Sequence, residues 1–226
     1  MDLTRILPPL LEGLQITLMF FAWTLVISIP LGLVIALIDY FSPKVIQIVI
    51  RIYIVVFRGT PLLLQMMFVY YGLPLVGINF DRVNAALVTL ILNYSAYYAE
   101  IYRGGLHSIP QGQYEALQVL SIHPWIGLRK VILPQVHRTI LPSLGNEIIS
   151  LIKDTSLIYV LGLEELLKVG RTLSNQTASL IPFVYVGLLY LGMTAVTTWG
   201  LTLIEKRVDY TRRKEGYDVI ASESVK

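Results

Sequence analysis

The fold is decided by the stretch Ala99–Gln135, AEIYRGGLHSIPQGQYEALQVLSIHPWIGLRKVILPQ, a polar segment that lies between strongly apolar runs. The whole chain is 55% hydrophobic and 15% charged, with a mean hydropathy of +0.65. These values are wrong for an ordinary soluble domain and indicate that much of the chain is solvated by lipid. The polar stretch is therefore predicted to be a cytoplasmic segment of an integral membrane protein.

Apolar runs on both sides of this stretch are long enough to cross a bilayer, which takes roughly 20 helical residues. Four runs are free of charge, and a fifth is counted although it carries Glu147, Lys153 and Asp154, because costly polar groups in a span are typical of a substrate path. The sequence thus predicts a single all-α permease-like domain over residues 1–226 with five transmembrane helices, at about 14–38, 48–72, 83–103, 133–160 and 180–204, and a cytoplasmic segment at 106–132.

Positive charge predicts the orientation of these spans. One set of connecting segments holds twelve lysines and arginines and the other holds four, and cytoplasmic segments carry the excess. The N-terminus is therefore expected outside and the C-terminus in the cytoplasm. The first apolar run is too long for a signal peptide and lacks a cleavage site, so it is expected to remain as a span. The chain has no cysteine, which removes disulfides and thiolate metal sites.

Glycine and proline divide the polar segment into two predicted short helices joined by a turn. In the first helix, Ala116, Val119 and Leu120 fall at i, i+3 and i+4 and form an apolar stripe. Pro124 suits the first turn of the second helix, where its missing N–H is not needed. Periodicity alone leaves two alternatives open, a connector lying on the bilayer surface or a helix that docks on a partner.

Several separated motifs resemble the permease subunits of type I ABC importers, in the polar amino-acid family that includes histidine, glutamine, arginine and cystine systems. The resemblance covers roughly residues 10 to 208, and its motifs occur in the family's order. They are Phe57-Arg58-Gly59-Thr60-Pro61-Leu62-Leu63, Ala99-Glu100-Ile101-Tyr102-Arg103-Gly104-Gly105, Gly112-Gln113, Glu115-Ala116-Leu117, Val131-Ile132-Leu133-Pro134, Leu144-Gly145-Asn146-Glu147 and Lys153-Asp154-Thr155-Ser156-Leu157.

The resemblance implies that the first short helix docks in a groove of a separate ATPase subunit. Two positions depart from the family pattern: Leu117 replaces an alanine, and Ser121 replaces the glycine at the turn. If that turn needs a positive φ, serine costs about 1 kcal/mol there. The residues expected to couple to the ATPase are Gln113, Glu115, Ala116, Leu117, Leu120 and Ser121.

The resemblance also implies the other partners: two ATPase subunits, a second permease subunit, identical or homologous, and an external substrate-binding protein. The chain has no Gly-x-x-x-x-Gly-Lys-Ser/Thr phosphate loop, so it is expected to be a transport subunit and not itself an enzyme. No cofactor is expected. The three histidines lie 16 and 14 residues apart and fit no metal-ligand pattern, and the net charge of +3 is explained by topology, without a nucleic-acid partner.

Polar stripes on three predicted spans suggest one cavity in the bilayer, because ionisable groups are costly there unless they have a role. In the second span, Arg58 and Gln65 lie seven residues apart and are expected to share a helix face. A zwitterionic amino acid carries a carboxylate and an ammonium, and arginine, amide and carboxylate groups together match that chemistry. Some of these charged residues have structural alternatives. Glu100 and Arg103 are expected to pair at i, i+3, and for Arg58 two roles stay open, binding of substrate or satisfying the carbonyls freed at Gly59-Thr60-Pro61. The predicted substrate residues are Glu147, Asn146, Ser150, Asp154, Arg58, Gln65, Asn93 and Tyr97.

A small-residue face on the first span predicts close packing of this helix against another. Its residues are Ser28, Gly32 and Ala36, which lie four apart.

The function expected from the resemblance is ATP-driven uptake of a polar amino acid across the plasma (inner) membrane of a prokaryote, with cystine or a basic amino acid as candidates. An ATP-independent channel or secondary carrier is the alternative, and a membrane-anchored enzyme or assembly factor is a third class.

Overall fold

The computed structural model describes the backbone of residues 3–223 and the side chains of residues 5–208, and nearly all of this part is helical. Helix α1 spans Leu3–Phe41, α2 spans Lys44–Gly59 and α3 spans Leu62–Met67, which continues through a π turn and a 3₁₀ turn to Val76. Helix α4 follows at Arg82–Ser108. The remaining helices are α5 (Gln111–Val119), α6 (Pro124–Gly127), α7 (Leu133–Asp154), α8 (Leu166–Thr177) and α9 (Ile181–Glu223).

Each predicted span overlaps helix, and the second is divided between α2 and α3. A π turn, Leu128–Ile132, joins α6 directly to α7, and a 3₁₀ turn, Thr155–Leu161, extends α7. Length and composition mark α1 and α9 as helices able to cross a membrane within the described residues, and a third if α2 and Leu62–Val76 form one bent span. The count of five spans therefore stays a prediction.

Helix α4 lies at the centre of the molecule and packs most extensively against α1. The small-residue face of α1 is confirmed: Ser28 and Ala36 are buried, and a Cβ atom on Gly32 would lie 2.9 Å from the backbone nitrogen of Ala99. Large aromatic side chains follow one face of α4 at intervals of four residues, with Tyr94, Tyr98 and Tyr102 all buried. Because α4 also packs against α2, α3 and α7, it positions groups from each of them.

Helix α4 continues beyond the predicted end of the third span, through Gly104 and Gly105 to Ser108. A Cβ atom on Gly105 would lie 2.8 Å from Cγ1 of Val136 and would also clash with Ile140. The glycine at 105 thus allows α4 and α7 to approach closely, and it does not break the helix. Gly104, in contrast, has open space around it.

Candidate substrate and coupling sites

A sharp break interrupts the second predicted span. Helix α2 and the Leu62–Val76 segment meet at an angle of 107°. Pro61 has no N–H to donate to the carbonyl of Phe57, four residues earlier, so this carbonyl loses its helical partner. The Gln65 amide donates to the Phe57 carbonyl oxygen at 2.9 Å, and the Asn93 amide donates to the same oxygen at 2.9 Å.

Two predictions about this break are wrong. Arg58 and Gln65 were expected to share a helix face, but the bend between them removes the common axis. The structural alternative for Arg58, in which its guanidinium satisfies the freed carbonyl, is wrong as well, because the two amides do so. Asn93 Nδ2 donates to Gln65 Oε1 at 2.9 Å as well, so these predicted site residues meet directly and fix the break to α4.

Carboxylates from α7 approach the same region. Asp154 accepts a hydrogen bond of 2.8 Å from the hydroxyl of Tyr94 on α4. Glu147 lies two turns earlier, is half-buried, and is within electrostatic range of both Arg58 and Asp154. Ser150 is half-buried between them in sequence, whereas Asn146 is exposed.

Arg58 and Tyr97 form a second direct contact, in which the guanidinium carbon lies 5.2 Å from the ring centroid. An arginine at this distance is attracted to the ring face. Arg58 also lies 3.8 Å from a carboxylate oxygen of Glu100. The predicted pair of Glu100 and Arg103 is confirmed and bidentate, with N–O distances of 2.6 and 2.8 Å.

The predicted substrate residues thus form two groups. Gln65 and Asn93 stabilise the break, while Arg58 and Tyr97 lie toward Glu100, and Glu147 is the residue within range of Arg58 on one side and Asp154 on the other. The chemistry present is two amides, a guanidinium and two carboxylates, which can bind an ammonium and a carboxylate at once. The sequence missed Asp39, a buried carboxylate at the end of α1, because the apolar run around it gives no periodic signal.

The polar segment presents apolar side chains to solvent at one end of the molecule. Val119 is 84% exposed and Leu120 is 69% exposed, and the predicted coupling residues Gln113, Glu115 and Ala116 are exposed too. An unpartnered surface of this kind marks an interaction site. The second predicted short helix is confirmed, with Pro124 at its first turn.

The two departures from the family pattern have distinct consequences here. Ser121 has a φ of 53°, so the turn does need the left-handed region. Leu117 is turned inward and packs against Gly127, where an added Cβ would lie 2.9 Å from its Cδ1. The larger side chain at 117 therefore fills the space between α5 and α6.

Tyr114 anchors α5 to the transmembrane helices. Its hydroxyl donates to the carbonyl of Leu106 at 2.9 Å, in the last turn of α4. Its ring stacks on that of Tyr40, at the end of α1, with the centroids 6.3 Å apart. Burial raises the pKa of the Tyr114 hydroxyl, which keeps it a neutral donor. Tyr114 thereby connects α5 to both α1 and α4.

A buried carboxylate lies between the fourth and fifth predicted spans. Glu165 caps α8 by accepting hydrogen bonds from the backbone N–H groups of Leu167 and Lys168 at 2.7 and 2.6 Å. Burial raises its pKa to about 7, although these N–H groups and the Tyr190 hydroxyl oppose the shift. The N–H of the next residue, Leu166, donates to Thr17 of α1, so this cap joins α1, α8 and α9.

Known proteins show the same sequence pattern. The family model described as the inner-membrane component of binding-protein-dependent transport systems matches residues 28–210. The chain belongs to this family. It is 35% identical over 206 residues to the arginine transport system permease protein ArtQ of Bacillus subtilis, covering 89% of this chain and 93% of the relative. It is 38% identical over 209 residues to the glutamine transport system permease protein GlnP of Escherichia coli, covering 89% and 94%.

Solved structures of transporters share the fold of this chain. A crystal structure of an amino acid ABC transporter with histidines superposes with a TM-score of 0.83 at 35% identity, covering 90% of this chain and 96% of that one. The MetNI methionine ABC transporter in an inward-facing conformation shares the fold, with a TM-score of 0.79 at 18% identity and coverage of 92% and 99%. The predicted relationship to amino-acid ABC importer permeases is confirmed, and the chain is a membrane transport component.

Proposed function

We propose that this chain is the transmembrane subunit of an ATP-driven importer that moves a polar amino acid into a prokaryotic cell. The observation that carries the proposal is the break in the second span, where the amides of Gln65 and Asn93 hold the freed Phe57 carbonyl. Arg58 lies next to this break, and Glu147 is within electrostatic range of Arg58 and Asp154. Charged groups within a bilayer are costly unless they face water, a partner charge or a ligand. Broken helices with such groups are typical of substrate sites in transporters.

The proposed assembly contains two permease subunits, two ATPase subunits and an external binding protein. Five spans would cross the membrane with the N-terminus outside and the C-terminus in the cytoplasm, as the charge distribution favours. ATP-driven closure of the ATPases would pull on α5 and α6, and the spans would rock around the central site. Arginine and glutamine are the substrates that the names of two relatives support, and cystine remains a candidate.

Glu147→Gln tests the substrate site, because it preserves shape and removes the charge. We expect uptake into proteoliposomes to fall sharply, while expression and basal ATPase activity stay close to wild type. Glu12→Gln, which neutralises an exposed carboxylate on α1, is the matched control. Normal uptake by a well-expressed Glu147→Gln variant would remove this residue from the site, and the same result for Asn146→Ala would leave Arg58, Gln65 and Asn93.

Charge reversal at Glu115 tests coupling. Glu115→Lys and Ala116→Asp should uncouple ATP hydrolysis from uptake and leave insertion unchanged, because both residues are exposed on α5 and a mismatched charge weakens an interface. Glu164→Lys makes the same reversal at an exposed carboxylate outside the segment. Normal uptake with both α5 variants and a retained ATPase would contradict the docking role.

Topology and partnership have separate tests. A cysteine at Ser224, which lies outside the described residues, should be labelled by an impermeant reagent only after the cells are opened. Labelling of intact cells would reverse the proposed orientation.

The alternative of an ATP-independent channel or secondary carrier predicts that no ATPase copurifies with this chain, whereas the importer predicts a stoichiometric one.

A further inference from the structure

A cavity of about 560 Å³ lies between α2 and α4, next to the substrate residues proposed above. Its volume is within the range of small-molecule sites, about 300–1,000 Å³. Its polar walls come from Arg51 and Arg58 on α2 and from Tyr97, Glu100 and Arg103 on α4. Three guanidinium groups therefore face one carboxylate, and the lining carries an excess of positive charge.

The positive groups in this cavity are unequally neutralised. Arg103 is held by both oxygens of Glu100, so its charge is matched. Arg58 reaches Glu100 only at 3.8 Å, and the Arg51 side chain is 61% exposed with its Nε 3.8 Å from Asp39. Arg58 and Arg51 thus retain donors for an anion, and planar guanidinium groups bind carboxylates well.

Asp39 positions Arg51 at one end of the cavity. This carboxylate is 4% exposed, and among the described residues its Oδ1 accepts no hydrogen bond. Arg103 is also within its electrostatic range. Opposite charges attract more strongly where water is scarce, so Asp39 keeps Arg51 beside the cavity at 3.8 Å, a distance longer than a hydrogen bond.

Charged neighbours connect the cavity to the proposed substrate residues. Asp154, Glu147 and Arg58 lie within electrostatic range of one another in that order, and Arg58 leads to Glu100 in the cavity wall. Arg51 lies nearer than Arg58 to the start of α2, which is the cytoplasmic end in the proposed orientation. The cavity is thus the next polar space between the substrate residues and the cytoplasm.

We propose that this cavity is an anion-binding exit subsite, which takes the carboxylate of the transported amino acid after it leaves the central site. The proposal rests on the proposed importer function. The carboxylate would bind Arg58 first and Arg51 next, and Glu100 would limit the affinity so that the product is released. An amino acid accumulated inside should therefore occupy the subsite from the cytoplasmic side and slow uptake, whereas its decarboxylated amine should not.

Two substitutions with opposite expected effects test the subsite. Proteoliposomes holding the complete transporter are preloaded with L-arginine or agmatine, or with L-glutamine or 4-aminobutyramide, and uptake of the labelled amino acid is measured with the binding protein outside. Arg51→Gln should weaken inhibition by the internal amino acid about twofold to fivefold, and Glu100→Gln should strengthen it by a similar factor. Lys44→Gln, which removes an exposed cation at the start of α2, should match wild type.

The outcomes separate this proposal from the proposed function. Two outcomes would overturn the subsite and leave the importer intact, provided that wild type shows uptake. In one, inhibition is equal in all variants; in the other, the amino acid and its amine inhibit equally. No ATP-dependent uptake of any amino acid by the wild-type transporter overturns the proposed function, and the subsite with it. Damage to folding does not imitate the expected result, because a damaged protein does not bind an internal anion more tightly.

Discussion

Alanine substitution of two helical glycines should change stability in opposite directions. A Cβ on Gly32 of α1 would lie 2.9 Å from the backbone nitrogen of Ala99 and would clash with Tyr98 on α4, whereas a Cβ on Gly104 of α4 would meet open space. Backbone cannot move aside as a flexible side chain can. Overpacking typically costs about 1–3 kcal/mol, and replacing glycine by alanine inside a helix gains about 1 kcal/mol.

The gain in helix propensity is common to both variants. The difference between their free energies of unfolding therefore measures the packing of α1 against α4. We expect Gly104→Ala to stabilise the protein by up to about 1 kcal/mol and Gly32→Ala to be about 1–3 kcal/mol less stable than Gly104→Ala. The measurement is unfolding of purified protein in mixed micelles by titration with sodium dodecyl sulfate, followed by circular dichroism. Equal free energies of unfolding for the two variants would refute the close approach of these helices.

Three further substitutions test local features. Ser121→Gly should stabilise the turn after α5 by about 1 kcal/mol, because glycine adopts the positive φ without strain, and thermal unfolding of the transporter measures this; an unchanged midpoint would contradict the left-handed conformation. Tyr114→Phe should cost about 1 kcal/mol by removing the hydrogen bond to Leu106, and faster proteolysis of the polar segment would report it. The Glu165 carboxyl has its folded pKa raised to about 7, so the native state binds more protons than the unfolded state between about pH 4.5 and 7, and stability should fall by up to about 3 kcal/mol as the pH rises through that range. Glu165→Gln should flatten this dependence, and an equally steep profile in the variant would show that another group titrates.

Much of this architecture could be predicted from the sequence, because hydrophobic length and glycine-proline punctuation are local properties. Uncharged runs predict four helical segments. Helix α7 is predicted as well once the costly Glu147 and Asp154 are taken as the mark of a substrate path. The pairing of Glu100 with Arg103 followed from helix geometry alone. The family pattern has glycine where this chain has Ser121, and this difference singled out the position at which the structure has a positive φ.

The features that the sequence did not predict, or predicted wrongly, depend on tertiary contacts. Whether Gly105 ends a helix or allows close packing depends on Val136 and Ile140, which are about 30 residues away in sequence. The shared face of Arg58 and Gln65 assumed a continuous helix, and the bend at Pro61 removed it. Periodicity cannot reveal a buried Asp39 beside Arg51, because the two residues lie on different helices.

The π turn at Leu128–Ile132 affects how the sequences of related permeases can change in length. A π turn accommodates one more residue than an α-helical turn, and each residue of an α-helix rotates the chain by about 100°. The five residues of a π turn cover nearly the same rotation as four residues of an α-helix, so deleting one residue here would let α6 and α7 run on as a regular α-helix with their relative orientation almost unchanged. A deletion of one codon at this turn should therefore be tolerated, because the polar segment and the membrane-embedded side chains that follow it both keep their directions.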